Sequence, residues 1–370
     1  MHSKKISAVA VAAVVFALAA CSTPADTGTD TGAKADVAAA EAGIKPFTDS
    51  PSEFPVTEPL ITKPTGKKIA ILDCGSPICA LFADLAVAPA EALGMTATRI
   101  DAGTSADGVA AAFDTVLSGG FDGVFVPAIA PSLWERPLAD LNAAGIPVVT
   151  SGVVGLPKGA VGAAGASEIS SSSSGKLAAD WAVVQDGDAT DVVFYTTPEL
   201  SFSAIINEAF LAEMDALCPD CAVRTVEIPV TQFGSGGPQI IVDDLLAHPD
   251  TTSAVFAVGE QSIGLPPALK TADITNVKIL ANSPDPSVLA SIQDGTYTAG
   301  IGVDLAVLTW TSIDSLARLV TGQDADPGAV NDLLVRQLLT SENLKGDVSH
   351  GWSGYPDFAD RFMALWADAK

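Results

Sequence analysis

From Lys67 onward, short apolar runs alternate with longer Ala-rich or amphipathic stretches, and nothing else in the chain constrains its fold so strongly. Lys67–Asp73, Thr96–Ile100, Gly123–Pro127 and Gly145–Ser151 read as strands. Ile78–Leu93, Asp107–Leu117 and Ser132–Ala143 read as helices between and after them. The first and third strands are continuous apolar runs, the pattern of a parallel strand buried on both faces. A second series follows: helix Ser173–Val184, strand Asp191–Tyr195, helix Ser201–Leu217, strand Val223–Val230, helix Pro238–Ala247, strand Ala254–Val258 and helix Ile263–Thr271. Strand Val277–Ala281, helix Pro286–Gln293, strand Thr298–Val303 and helix Leu305–Thr321 complete it. The rhythm predicts an α/β chain of two doubly wound parallel-sheet lobes joined by a hinge. Open parallel sheets bind ligands beyond the carboxyl ends of their strands, so two facing lobes predict a cleft and a closing motion.

Composition removes several classes of function. The formal charge of −25 argues against nucleic acid, whose phosphates need clustered Lys and Arg. Three His and five Cys leave little for a zinc site or a His-based triad, and no metal or cofactor is expected. Gly162–Ser167 and Gly234–Gly237 are Gly-rich but match neither dinucleotide nor phosphate-loop spacing. Ser170–Ser174 before Gly175-Lys176 lacks the first Gly of a phosphate loop, and reads as a polar hinge or loop with a helix cap. No catalytic constellation emerges, so an enzyme is not expected.

The first residues read as an address. Lys4 and Lys5 precede the apolar segment Ile6–Ala20, which is too short to span a membrane comfortably. Leu18-Ala19-Ala20-Cys21 resembles the lipobox of bacterial lipoproteins, which implies cleavage before Cys21 and acylation of its thiol. Residues 1–20 are therefore expected to be a lipoprotein signal peptide. Residues 21–65, rich in Thr, Asp, Pro and Gly, are expected to be a flexible tether. The expected place is the cell envelope, either anchored on the outer face of the cytoplasmic membrane or periplasmic.

The other four Cys fall in two close pairs, Cys74/Cys79 and Cys218/Cys221, which an exported chain uses as disulfides. A redox reading of Cys218-Pro-Asp-Cys221 meets an obstacle: the pair follows a helical stretch, whereas a redox pair opens one.

Several local motifs occur in a telling order. They are Phe121-Asp122-Gly123-Val124 before Val126-Pro127, Ala144-Gly145-Ile146-Pro147-Val148-Val149, and Gly175-Lys176-Leu177-Ala178-Ala179. Ile292 to Ala299 and Leu339 to Leu344 follow. Together they resemble the type I periplasmic binding proteins of the sugar-binding branch, over Lys67 to the carboxyl terminus. The resemblance implies a solute receptor, expected as a monomer, that delivers a small molecule to ABC permease subunits. An alternative is a ligand-sensing surface lipoprotein that signals to a membrane sensor. It also implies three crossings between lobes, expected near Gly162–Ser167, Asn282–Asp285 and Asp332–Leu338. The lobes are then 66–165 plus 283–331, and 166–282 plus 332–370.

Departures from the family pattern limit the ligand. Thr150-Ser151-Gly152 stands where sugar binders carry an Asp-Arg pair, Ala128-Ile129-Ala130 stands where an Asp follows the third strand, and Gly259-Glu260 replaces an Asn-Asp pair. The six Arg are not expected at strand ends facing the cleft, which points to a neutral or cationic solute, sugar-like by default. Candidate contacts by position are Asp73 and Ser76, Ser151, Glu199 and Phe202, Gln232 and Phe233, Glu260 and Gln261, and Ser283 and Asp285. Asp285 and Asp304 also read as helix caps, and Trp134, Trp181 and Trp310 as packing.

Overall fold

In the computed structural model, residues 34–103, 105–330 and 335–370 are described. The expected strand–helix alternation is present. In chain order the elements of the first lobe are β1 (Lys68–Asp73), α2 (Pro77–Ala92), β2 (Thr96–Asp101), α3 (Ala106–Ser118), β3 (Gly123–Pro127), α4 (Glu135–Ala144), β4 (Val148–Ser151) and β5 (Ala163–Gly165); α1 (Val37–Ile44) precedes them. Then come α5 (Glu168–Asp186), β6 (Asp191–Thr196), α6 (Ser201–Leu217), β7 (Ala222–Glu227), α7 (Gly237–Ala247), β8 (Ser253–Phe256) and α8 (Leu265–Thr271). The rest are β9 (Lys278–Asn282), α9 (Pro286–Gln293), β10 (Ala299–Val303), α10 (Leu305–Leu319), β11 (Arg336–Leu339) and α11 (Phe358–Trp366).

The strands form two sheets. The first runs β2-β1-β3-β4-β5, all parallel. The second runs β11-β10-β9-β8-β6-β7, parallel except for β11, which pairs antiparallel with β10. The central strands β1 and β3 are buried apart from Lys68 because helices cover both faces, whereas no residue of the edge strand β2 is buried. Trp134, Trp181 and Trp310 are all buried, as packing residues are. Among the described residues, no helix is long and apolar enough to cross a membrane.

Two expectations about the chain's division are corrected. The crossing placed near Asn282–Asp285 lies instead at Val303–Leu305. β10 pairs with β9 in the second sheet, and only then does α10 cross to cover β3, β4 and β5 of the first. Asp304 caps α10 at that crossing, its Oδ1 accepting from Val307 N at 3.0 Å. The carboxyl-terminal helix α11 joins the first lobe rather than the second. Trp366 stacks on Trp310 of α10 at 5.6 Å between ring centroids, and its Nε1 donates to Asp314 at 2.7 Å. Of the third crossing, 331–334 lie outside the described residues.

The expected tether is also corrected for residues 34–65, which pack as a strap. α1 lies on α5 and α6, with Ala40 and Ile44 buried and Asp36 N donating to Leu217 O. The strap then reaches β11, where Gln337 Nε2 donates to Thr48 O, and Tyr355, whose hydroxyl donates to Glu53 O. It ends on the first lobe: Asp326 Oδ2 accepts from Thr57 N and Glu58 N, and Leu60 N donates to Leu365 O. The prolines hold it extended, and side-chain acceptors satisfy its backbone donors, so four spaced apolar anchors (Ala40, Ile44, Val56 and Leu60) suffice to dock it.

The Ser-rich stretch is another correction. It is not a loop but part of α5. Ser170, Ser171 and Ser174 recur at helical spacing and share the buried face. Gly175 lets that helix approach α6 closely, since a Cβ there would stand 2.2 Å from Ile206 O.

Candidate functional site

The carboxyl ends of both sheets face one another, and three cavities lie along the line where they meet. A central void of about 50 Å³ takes Ile78, Phe82, Ala128 and Gly152 from the first lobe. From the second it takes the three buried Ser of α5, Phe202, Asn282, Ser283 and Arg336. On one side it adjoins a cavity of about 310 Å³, sharing Ile78, Ser283, Val303 and Leu305 with it. On the other lies a cavity of about 280 Å³, lined by Ser76, Gly103 and Leu133 of the first lobe and by Pro198, Glu199 and Val230 of the second.

The floor on the first lobe is built from the turn after β1. The Cys74–Cys79 disulfide closes this turn, and Ser76 Oγ caps α2 by accepting from Cys79 N. Asp73 does not line any of the three cavities. One of its oxygens pairs with Arg99 Nε at 2.6 Å and the other accepts from Gly75 N at 2.8 Å, so it holds the turn in shape. Ser151 is fully buried at the end of β4, with no partner for its Oγ among the described residues, and also stands outside the three cavities. Glu199 is exposed at the rim of the cavity it shares with Ser76.

On the second lobe the predicted residues divide more sharply. Phe202 lines the central void. Gln232 and Phe233 sit half-buried on the turn after β7 and line none of the three cavities; Phe233 packs against the core instead. Gln261 is fully buried and committed. Its Oε1 accepts from Val258 N at 3.2 Å, and its Nε2 donates to Thr197 Oγ1 at 2.9 Å. Glu260, Ser283 and Asp285 come together on the cavity of about 310 Å³. Glu260 is 5% exposed and its Oε2 has no partner among the described residues. Asp285 caps α9 through Oδ1, which accepts from Ser287 N and Oγ at 2.8 and 2.7 Å, while its Oδ2 has no partner. Burial, with the charge of Asp285 behind it, raises the Glu260 carboxyl to about 7.

Sequence reasoning missed Arg336 and the α5 serines. Contrary to expectation, one Arg does reach the cleft: Arg336 opens β11 in the central void, its Nε donating to Ser174 Oγ at 3.3 Å and its Nη2 to Ser170 Oγ. The signal was an Arg at the head of the short strand Arg336-Gln337-Leu338-Leu339, since an Arg is seldom fully buried unless paired. Asn282 was missed too. Its Nδ2 donates to Ala257 O, and its Oδ1 has no partner among the described residues at the central void. Among the described residues, no group of three or more His, Cys, Asp or Glu is placed to hold a metal.

A family model described as a periplasmic binding protein domain matches residues 73–324. No curated protein matches the chain. Among solved structures it is similar to a galactofuranose binding protein, with TM-score 0.66 and 17% identity over 76% of this chain and 96% of that one. It is also similar to an ABC transporter solute binding protein from Mycobacterium smegmatis with bound glycerol, with TM-score 0.64 and 20% identity over 75% and 96%. The XylFII-LytSN complex contains a third, with TM-score 0.65 and 15% identity over 75% and 99%.

Proposed function

The chain belongs to the periplasmic binding protein family, with the type I fold, and we propose that it captures a small neutral or cationic solute between its lobes and delivers it to an ABC importer. Members of this family are extracytoplasmic solute-binding proteins of ABC transporters rather than enzymes. In this reading the chain is a monomer anchored through an acylated Cys21, a residue outside those described. A hydroxylated solute accords with relatives that bind galactofuranose or hold glycerol.

One observation carries the reading. Of the five second-lobe residues with a buried polar atom lacking a partner among the described residues, four (Glu260, Asn282, Ser283 and Asp285) border the line of cavities between the lobes, and Ser201 does not. Buried acceptors without partners cost free energy unless something supplies donors, and a solute held between the lobes does so. Closure then follows if the solute binds the closed form more tightly than the open one.

The test is a thermal-shift screen of the full chain against sugars, polyols, nucleosides and amines. Small-angle scattering of each hit follows. A ligand that binds only the folded state raises the melting temperature, and a bridging one shrinks the molecule. A screen without hits, or hits that leave the molecule's dimensions unchanged, would count against capture between the lobes.

A further inference from the structure

The cavity of about 310 Å³ is chemically lopsided. Its second-lobe wall carries Glu260, Ser283 and Asp285, each with an oxygen that has no partner. Glu260 is the most telling, because a carboxylate so deeply buried is normally paired. The opposite wall is apolar, formed by Ile78, Leu81 and Leu85 of α2. No Lys or Arg lines this cavity among the described residues; His350, exposed at the rim, is its one other titratable side chain.

Two carboxyl groups and a hydroxyl that can accept as well as donate surround one void, and together they can take several donors from one group. A hydroxyl brings one and a protonated primary amine brings three. Two nearby carboxylates also repel one another, and a cation between them removes that penalty where a neutral hydroxyl does not. The apolar wall leaves room for the organic body behind the charge. A bare metal ion fits less well, because it asks for oxygen ligands on every side.

We infer that the solute carries a protonated primary amine, received by Glu260, Asp285 and Ser283, with its carbon frame against Ile78, Leu81 and Leu85. The inference rests on the solute-binding reading above and names its chemical class. Burial and the charge of Asp285 hold the Glu260 carboxyl up, and the positive charge of an arriving amine acts against both and favours the carboxylate.

The experiment is calorimetry on the full chain with matched probes: glucosamine against glucose, galactosamine against galactose, and aminopropanediol against glycerol. The amine member of at least one pair is expected to bind about 10- to 100-fold more tightly than its neutral twin, the range for a charge-assisted hydrogen bond. Glu260→Gln, nearly isosteric, should erase that preference. Ser283→Ala should reduce it, which keeps the test open if the first variant fails to fold. Neutral twins that bind as well as the amines, with compaction of the protein, would overturn the amine and leave solute capture standing. So would a broad screen whose hits all lack an amine, or calcium chloride alone stabilising the chain in a Glu260-dependent way. Silence from the pairs and from the broad screen together would overturn both.

Discussion

Arg318 and Asp314 stand one turn apart on α10 and pair at 2.7 Å, Nε to Oδ2, with side chains 3% and 0% exposed. The pair is a junction. Arg318 Nη2 also donates to Glu58 O of the strap, and Asp314 Oδ1 accepts from Trp366 Nε1 of α11. Removing one partner strands a buried charge, whereas removing both need not. Arg318→Met should therefore lower unfolding stability by about 3–5 kcal/mol, and the double change Arg318→Met with Asp314→Leu by clearly less. Urea unfolding of the three chains checks this; a double variant that loses as much as the single one would show that the stranded Asp314 charge is not what costs stability.

Asp180 gives a pH dependence. Burial first, and the charge of Glu213 second, raise its carboxyl from 3.8 to about 7, against a partial opposing effect of Lys176. The folded chain thus keeps a proton that the unfolded chain releases. Stability then falls as pH rises through that window and levels off above it. Glu260, also raised to about 7, and Asp304, raised by burial to about 6, act in the same direction. The melting temperature should drop between pH 5 and pH 8, and Asp180→Asn should flatten part of that drop. A variant with an unaltered profile would remove Asp180 from the effect.

Cys74–Cys79 and Cys218–Cys221 are disulfides in the structure. Each closes a small loop, for which the chain-entropy relation gives roughly 2 kcal/mol. Mass spectrometry of exported protein should find no free thiol at these four positions. Cys74→Ser with Cys79→Ser should destabilise by about that amount and loosen the turn beneath the cleft. Full alkylation without reduction would contradict the bonds.

For the anchor, Cys21→Ala should yield an unprocessed or released protein, because the acyl acceptor is gone and several acyl chains are what hold such a protein to a membrane. Fractionation of cells expressing each form decides it. A variant still cleaved and membrane-bound would exclude acylation at Cys21.

The strand–helix alternation was legible because parallel strands covered on both faces read as unbroken apolar runs, as in Ile69–Leu72 and Val124–Val126. Lobe membership was not legible, because an apolar strand such as β10 carries no mark of which sheet it completes. The strap was missed for a related reason. Ala40, Ile44, Val56 and Leu60 are single apolar residues among prolines and polar groups, and nothing local shows that Asp326 and Gln323 hold the backbone between them. At the site, position along a strand brought Glu260, Ser283 and Asp285 to one cavity. The same reasoning misread Gln261, whose amide is consumed by Val258 and Thr197, and the serines of α5, whose composition resembles a loop while their spacing is helical.

The passage of the chain from β10 to α10 also governs the order in which this molecule can take shape. The face of the first sheet that α10 covers is made early in synthesis, and its cover arrives only once residue 319 has left the ribosome. The closing contacts join distant parts of the chain, so their loop entropy is met before any packing is gained. The parallel strands of the second sheet, by contrast, are complete by residue 303 and await only β11. A polypeptide threaded this way leaves one face of its first lobe uncovered until synthesis is nearly complete.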